Sequence, residues 1–536
     1  MKRLVRTVLA AACAAAVLVS SALPAFGERD IPGDLTTGTL EFYFRAERRL
    51  QYYYSDEYFS VSATEMNEHL RTMSLDLSFV SFVSSDTSGA SGARALFEEI
   101  GFSAGDMQVD QLDIRPGKDT IGSVICHKKT PYGEVVAVSV RGAAYGEEWA
   151  NSLLLGDSGD AKGFSSAAEE VLKRLRAYEE KYGLKGAKLW ITGYSRGGGV
   201  ADLMGKYINE RTDDYGVTED DVYVYTFEAP RASGEASGYK NIHNIMNRND
   251  IVTKIYPRQV GMYNSGVEEL IEREELKVTP MNFRMDGGFK LSPLGGDSTG
   301  TQPVKSSSMP EFEEKLLEFI SSDLTREDLD KCSEHLGNLV SLTIRKDRDE
   351  MNKLVEYLTK SVGDKFSGLG AVRLAPIMMT DIGSEDFADA VSGLADTIVA
   401  GLEEGDHSQC LTEEEFVQLK ASIHPLLSIL APPMLRDFGG QGGAQFEMLG
   451  TFFGNLSEIV DEHLPYNVIE MVEAMDSYHT SPPEIPPKKQ AEDTASSDGE
   501  LPRTGTIAVC IGLCTAAAAV LAAIIIARRS AKKKQS

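Results

Sequence analysis

The chain is short of cysteine, of basic charge and of long apolar runs, and each shortage removes a class of function. Its 536 residues include six cysteines. Cys13, Cys510 and Cys514 fall in the terminal segments, so the body keeps only Cys126, Cys332 and Cys410. An odd, sparse set excludes a disulfide framework as the source of stability, and it leaves open whether any two of them pair. No Cys-x-x-Cys or His-x-x-x-His spacing occurs, so no metal is expected, and none of the motifs below requires a cofactor. Lys and Arg number 54 against 81 Asp and Glu, a formal net charge of −27. Lys2, Arg3 and Arg6 at one end and five basic residues after Ala527 at the other have no acidic residue among them, which leaves the body between them at about −35. Such a surface repels polyanions, and nucleic acid is excluded as a partner.

Long apolar runs occur only at the ends. Lys2, Arg3 and Arg6 precede the run Val8–Val19, and Ala25-Phe26-Gly27 offers small residues for cleavage, so residues 1–27 read as a secretory signal peptide. At the other end, Thr506–Ala527 is uncharged and long enough to span a bilayer, and Arg528, Arg529, Lys532, Lys533 and Lys534 follow it. Immediately before it stand Leu501, Pro502, Arg503, Thr504 and Gly505. This arrangement resembles the Leu-Pro-x-Thr-Gly sorting signal of Gram-positive surface proteins. The resemblance implies that a sortase cuts between Thr504 and Gly505 and joins the chain to peptidoglycan, so that a transmembrane segment at 506–527 serves only for transient retention. Residues 480–500 are rich in Pro, charge and small polar side chains, a stiff solvated spacer.

The folded body is organised around Lys188–Val200. Gly193-Tyr194-Ser195-Arg196-Gly197 forms a Gly-x-Ser-x-Gly pattern, with an apolar β-prone run before it (Leu189 to Thr192). Val200, Ala201, Leu203, Met204, Tyr207 and Ile208 follow at helical spacing. Strand, tight turn and helix in that order make a nucleophile elbow: glycines clear space for the turn, and the serine hydroxyl projects above a sheet. Glu134–Val140, Val222–Phe227 and Asn241–Met246 read as further strands, with helices over Ala93–Ile100 and Ala167–Tyr182. The alternation predicts a parallel α/β sheet of α/β-hydrolase type over 28–290. Residues 291–440 read as a mostly helical insertion or cap, and 441–479 as the C-terminal part of the hydrolase core.

Four motifs carry a resemblance to the lipase class 3 family in a secreted bacterial form. They are VAVSVRGAAYGEEW (136–149), WITGYSRGGG (190–199), YTFEAPRA (225–232) and NIMNRNDIVTKIYP (244–257). The resemblance implies a serine hydrolase with Ser195 as nucleophile, Asp250 as acid, and backbone N–H groups of Ala143 and Arg196 as the oxyanion hole. Arg141 reads as structural, pairing beneath the loop, and Glu228 is a weaker alternative acid. The order Ser…Asp…His asks for a later histidine. His335, His407 and His424 lie in the helical insertion. His479 is expected to open the spacer, with nothing to hold it still. His463, just ahead of Pro465 at a helix start, is the expected base and resembles a His-x-Pro segment of related bacterial members. The function implied is a cell-surface serine carboxylester hydrolase, lipase-like, cleaving ester or lipid substrates through an acyl-enzyme. The alternatives are a serine peptidase or amidase on the same triad, and a non-catalytic surface adhesin that retains the fold.

Overall fold

The computed structural model describes residues 31–43, 47–80, 90–110, 121–143, 148, 151–256, 258, 261–276 and 325–344, most of 353–361, 381, 383–436 and 462–483. The signal peptide, the spacer beyond Pro483, the sorting signal Leu501–Gly505 and the span 506–527 lie outside the described residues. Among the described residues no helix is long and apolar enough to cross a membrane.

A seven-stranded sheet runs in simple order through β3 (Gln108–Asp110), β4 (Ser123–Thr130), β5 (Gly133–Val140), β6 (Lys188–Tyr194), β7 (Val222–Phe227), β8 (Tyr239–Asn247) and β9 (Gly266–Ile271). The four ladders from β5 to β9 are parallel, as expected. The first two, β3–β4 and β4–β5, are antiparallel, so the sheet is mixed where the sequence predicted a parallel one. The cause is a hairpin. Thr130 Oγ1 donates to the Gly133 carbonyl at 2.8 Å, and Gly133 takes φ 122°, a value that only glycine adopts freely.

Alternation decides which face each side chain serves. In β7, Val222 and Val224 point to one face, Tyr223, Tyr225 and Phe227 to the other, and all are buried. The first face packs on α3 (Lys162–Tyr182) through Val171, Leu172 and Leu175, and on α4 (Arg196–Asn209) through Val200, Leu203 and Met204. The second packs on α1 (Glu68–Phe79), α2 (Ala90–Glu99) and α8 (Pro465–Ala474). Asn67 caps α1 by accepting from the amides of His69 and Leu70 at 3.0 and 2.9 Å. Every residue from Leu70 to Phe79 is buried, because a hairpin of β1 (Thr36–Tyr43) and β2 (Glu47–Tyr54) covers the helix from outside. Its polar groups are used inside: Ser74 accepts from Trp190 Nε1 at 2.7 Å and Ser139 donates to the Leu77 carbonyl at 2.8 Å.

The helices of the insertion, α5 (Arg326–Ile344), α6 (Glu385–Glu404) and α7 (Glu413–Arg436), share their own core through Leu336, Leu339, Ile398, Leu402, Leu419 and Leu426. Two side chains clamp α5 to the loop ahead of α3. Arg326 donates to the carbonyls of Gly156, Leu155 and Gly159 at 2.9–3.0 Å, and Asp330 accepts from the amides of Leu155 and Gly156 at 2.6 and 2.8 Å. Cys126, Cys332 and Cys410 are buried, and no disulfide joins any two of them.

The C-terminal segment returns to the sheet. Pro465 starts α8, and Arg71 Nη2 donates to the Met475 carbonyl at 3.0 Å. His69 bonds Asp476 at 2.9 Å and stacks on Tyr478 with ring centres 3.6 Å apart. The expectation that His479 is unheld is overturned. It sits in a helical turn, Ser477–Thr480, edge-on to Tyr53 at 5.1 Å, with its side chain 9% exposed. The ordered body therefore runs past it, and the prolines that suggested a spacer begin three residues later.

Candidate active site

Between β6 and α4 the chain turns within one residue. Ser195 takes φ 56° and ψ −123°, a conformation costly for any residue with a side chain, and its amide donates to the Phe227 carbonyl at 2.8 Å. The flanking glycines are required. A Cβ on Gly193 would stand 2.2 Å from the Gly197 carbonyl oxygen, and one on Gly197 would stand 2.2 Å from the Val140 oxygen and 2.8 Å from the Arg141 carbonyl carbon. The second contact also shows that α4 begins pressed against the end of β5. The amide of Arg196, first in the helix and without an intrahelical partner, thus shares this end of the sheet with the segment Arg141-Gly142-Ala143. Arg141 is structural, as expected: its guanidinium pairs with Glu148 at 2.9 Å, both side chains fully buried.

Asp250 stands in the turn after β8, where Asn247 accepts its amide at 2.9 Å. Its Oδ1 accepts from the Val252 amide at 2.8 Å, which leaves Oδ2 aimed at His463 Nδ1, 2.6 Å away. His463 Nε2 lies 2.9 Å from Ser195 Oγ. All three residues are at most 2% exposed. Burial alone would raise the Asp250 carboxyl, but the facing His463, Glu228 and the Val252 amide outweigh it and hold the group below the ordinary carboxylate range.

The backbone of His463 is fixed as closely as its ring. Tyr194 hydroxyl donates to its carbonyl, and Asn247 Nδ2 donates to the carbonyl and carboxylate of Glu462 at 3.0 and 2.7 Å. Arg273 pairs with the same carboxylate. The other candidate histidines are elsewhere. His335 bonds Ser422 at 3.3 Å, His407 stacks on Phe416 at 3.7 Å, and His424 meets Asp396 at 3.1 Å, all within the helical unit. Glu228 meets the Asp250 carboxyl, and the hydrogen bond of His463 Nδ1 goes to Asp250, so Glu228 is not the partner of Nδ1.

Sequence reasoning missed several supporting side chains. Tyr194 and Asn247 had no signal beyond their places beside the elbow and the acid. Arg196 was read for its amide alone. Its side chain is buried and donates from Nε to Ser152 Oγ at 2.8 Å. Burial lowers its pKa, an effect that the nearby Glu148 opposes. Among the described residues, Glu228, Asp250 and His463 also form the one cluster with the donor types and spacing of a metal site. Both imidazole nitrogens, however, are engaged in hydrogen bonds at 2.6 and 2.9 Å, and the arrangement suits a proton better than a metal ion.

A serine, an imidazole and a carboxylate in line, set on an elbow, are what acyl transfer needs. Comparison with known families agrees. Residues 136–260 match the model of the lipase (class 3) family. The chain is thus a lipase-type serine ester hydrolase. The match takes in Ser195 and Asp250 and stops before His463, which the structure brings in from more than two hundred residues away. No curated protein matches the chain. Among solved structures, the chain is similar to one described as a triacylglycerol lipase whose catalytic centre is a serine protease triad. The identity is 18% and the TM-score 0.28, over 38% of this chain and 78% of that one. It is also similar to the native Rhizomucor miehei lipase propeptide complex, with 18% identity and a TM-score of 0.26, over 38% of this chain and 66% of that one. At such scores neither likeness adds to the assignment.

Proposed function

We propose that the chain is a cell-surface, lipase-like carboxylester hydrolase working through an acyl-enzyme. The observation that carries the chemistry is the sealed line Ser195–His463–Asp250, at 2.9 and 2.6 Å. Ser195 Oγ attacks the ester carbonyl carbon while His463 Nε2 takes its proton. Asp250 holds the imidazole in the tautomer with its proton on Nδ1 and stabilises the imidazolium that forms. The amides of Arg196 and Ala143 receive the oxyanion. His463 then returns its proton to the leaving alcohol, and a water molecule, activated by the same imidazole, releases the carboxylic acid and restores Ser195. The surface location rests on the sequence: a leader at 1–27, then Leu501, Pro502, Thr504 and Gly505 ahead of an apolar span and a basic tail.

A fluorophosphonate probe tests the mechanism directly. It should label the parent chain on Ser195, and Ser195→Ala should lose both labelling and ester turnover by more than about a thousandfold with its thermal midpoint nearly unchanged. Turnover persisting in Ser195→Ala would refute the assignment. A panel of matched esters and amides, with esters preferred, separates this reading from a peptidase.

A further inference from the structure

Glu228 is the residue after β7, and among the described residues only it and Ser195 combine a side chain with positive φ (50° and 56°). Strained backbone of this kind persists where the surroundings impose it. Here β8 imposes it twice, since the Glu228 amide donates to the Ile245 carbonyl at 3.0 Å and its Oε1 accepts from the Asn247 amide at 2.8 Å. The side chain is wholly buried, its Oε2 has no hydrogen-bond donor among the described residues, and the carboxyl faces that of Asp250. One oxygen of each carboxyl and one nitrogen of His463 lie within 4.8 Å of one another.

Two carboxylates this close in a dry site cannot both ionise at modest cost. The groups around Glu228 sharpen the conflict. From the turn after β8 it faces Asp250, from the C-terminal segment Glu462 and, within 4.8 Å, His463, and from β6 the Tyr194 hydroxyl. Arg273 answers Glu462, but among the described residues no lysine or arginine pairs with Glu228 or Asp250. Burial first, and the Asp250 charge second, push the Glu228 carboxyl well above the usual carboxylate range, while Asp250 is held below it. The single proton of the pair therefore resides on Glu228.

We propose that Glu228 is a positioning residue: protonated, it donates to Asp250, extends the line to Glu228–Asp250–His463–Ser195, and leaves one negative charge, not two, behind the imidazole. The proposal rests on the triad reading above. It gives the strain at Glu228 a purpose, because only the left-handed backbone turns this carboxyl from β7 back toward the acid. It also sets an alkaline limit on turnover. When Glu228 ionises, either Asp250 swings from His463 or the imidazole binds its proton too tightly to act as a base, and both outcomes lower kcat.

The test is a pH profile of kcat and KM on a soluble ester for the parent, Glu228→Gln, Glu228→Ala and Ser195→Ala. Glu228→Gln keeps a donor to Asp250 and an acceptor for Asn247 but cannot ionise. It should stay within about threefold of the parent at neutral pH and lose the alkaline fall in kcat. Glu228→Ala should lower kcat by ten- to a hundredfold with KM little changed. An alkaline limb that is identical in the parent and Glu228→Gln overturns the proposal, as does a Gln variant as damaged as Ala. A purely structural role would move the thermal midpoint of both variants and leave the profile's shape alone. Failure of the triad reading shows separately, as turnover that survives in Ser195→Ala.

Discussion

Replacing Asp250 by Asn is the sharpest probe of the site, because the structure dictates which way the amide turns. Asp250 Oδ1 accepts from the Val252 amide at 2.8 Å, and an NH2 group placed there would set donor against donor. The carboxamide oxygen therefore stays on Val252, and Nδ2 takes the position of Oδ2, 2.6 Å from His463 Nδ1. It donates to that nitrogen and fixes the tautomer with its proton on Nε2. The imidazole then offers Ser195 a donor where a base is needed. An inverted tautomer in a Ser-His-Asp site costs about 10⁴ in kcat, or about 5.5 kcal/mol of transition-state stabilisation. The buried neighbour modifies this. Freed from a charged Asp250, Glu228 can ionise and return one negative charge to the cluster. Asp250→Asn should consequently retain about tenfold more turnover than Asp250→Asn combined with Glu228→Gln. The assay is kcat on a chromogenic ester between pH 6 and 9, with thermal unfolding as the control for folding. An Asn variant within tenfold of the parent would refute the tautomer reasoning. Equal rates in the single and double variants would refute the compensation.

Glu179, buried on α3 with no partner for Oε1 among the described residues, is pushed by burial up to about 7. The native state therefore binds more protons than the unfolded chain between about pH 4.5 and 7, and stability contributed by this group falls as pH rises through that window. Glu179→Gln should equal the parent near pH 4 and exceed it at pH 8 by up to about 3 kcal/mol, read as the difference in thermal unfolding at the two pH values. For the surface reading, Thr504→Ala should release the chain from cell-wall fractions, and covalent retention of that variant would exclude the sortase route.

What the sequence revealed and what it hid follow from how local each signal is. The elbow was legible because its turn demands glycine at fixed positions, and β5 to β8 because buried strands are continuous apolar runs such as EVVAVSV and VYVYTF. Strand β4 was missed because His127, Lys128 and Lys129 break its pattern. All three have structural uses: His127 bonds Tyr178 at 2.8 Å, Lys128 reaches the Ile100 carbonyl at 2.7 Å, and Lys129 pairs in register with Glu134. Strand β9, GVEELI, is a partly exposed edge and reads as polar. Helix α1 lacks an amphipathic stripe because both its sides are covered, so periodicity could show only an apolar run from Leu75. Glu228 was visible as a carboxylate near the site, yet the choice between acid and neighbour of the acid depends on a backbone turned to positive φ. Nothing in YTFEAPRA announces that turn.

His463 completes the site from far along the chain, 213 residues after Asp250 and 268 after Ser195. Such a pairing forms only when the segment after the helical unit docks, so what holds that segment also controls turnover. Its anchors reach three separate elements: Arg71 and His69 on α1, Asn247 at the end of β8, and Arg273 beyond β9. On the other side of the serine, the clamp from Arg326 and Asp330 holds the loop at Leu155–Gly159. That loop is continuous with Ser152, whose Oγ accepts from Arg196 at 2.8 Å and whose carbonyl accepts from Tyr256. Arg196 and His463 are therefore fixed by different parts of the chain, one by the helical unit and one by the C-terminal return. A lesion in the clamp should then disturb Arg196 and its amide while leaving the Asp250–His463 hydrogen bond intact, whereas a lesion in the C-terminal anchors should do the reverse.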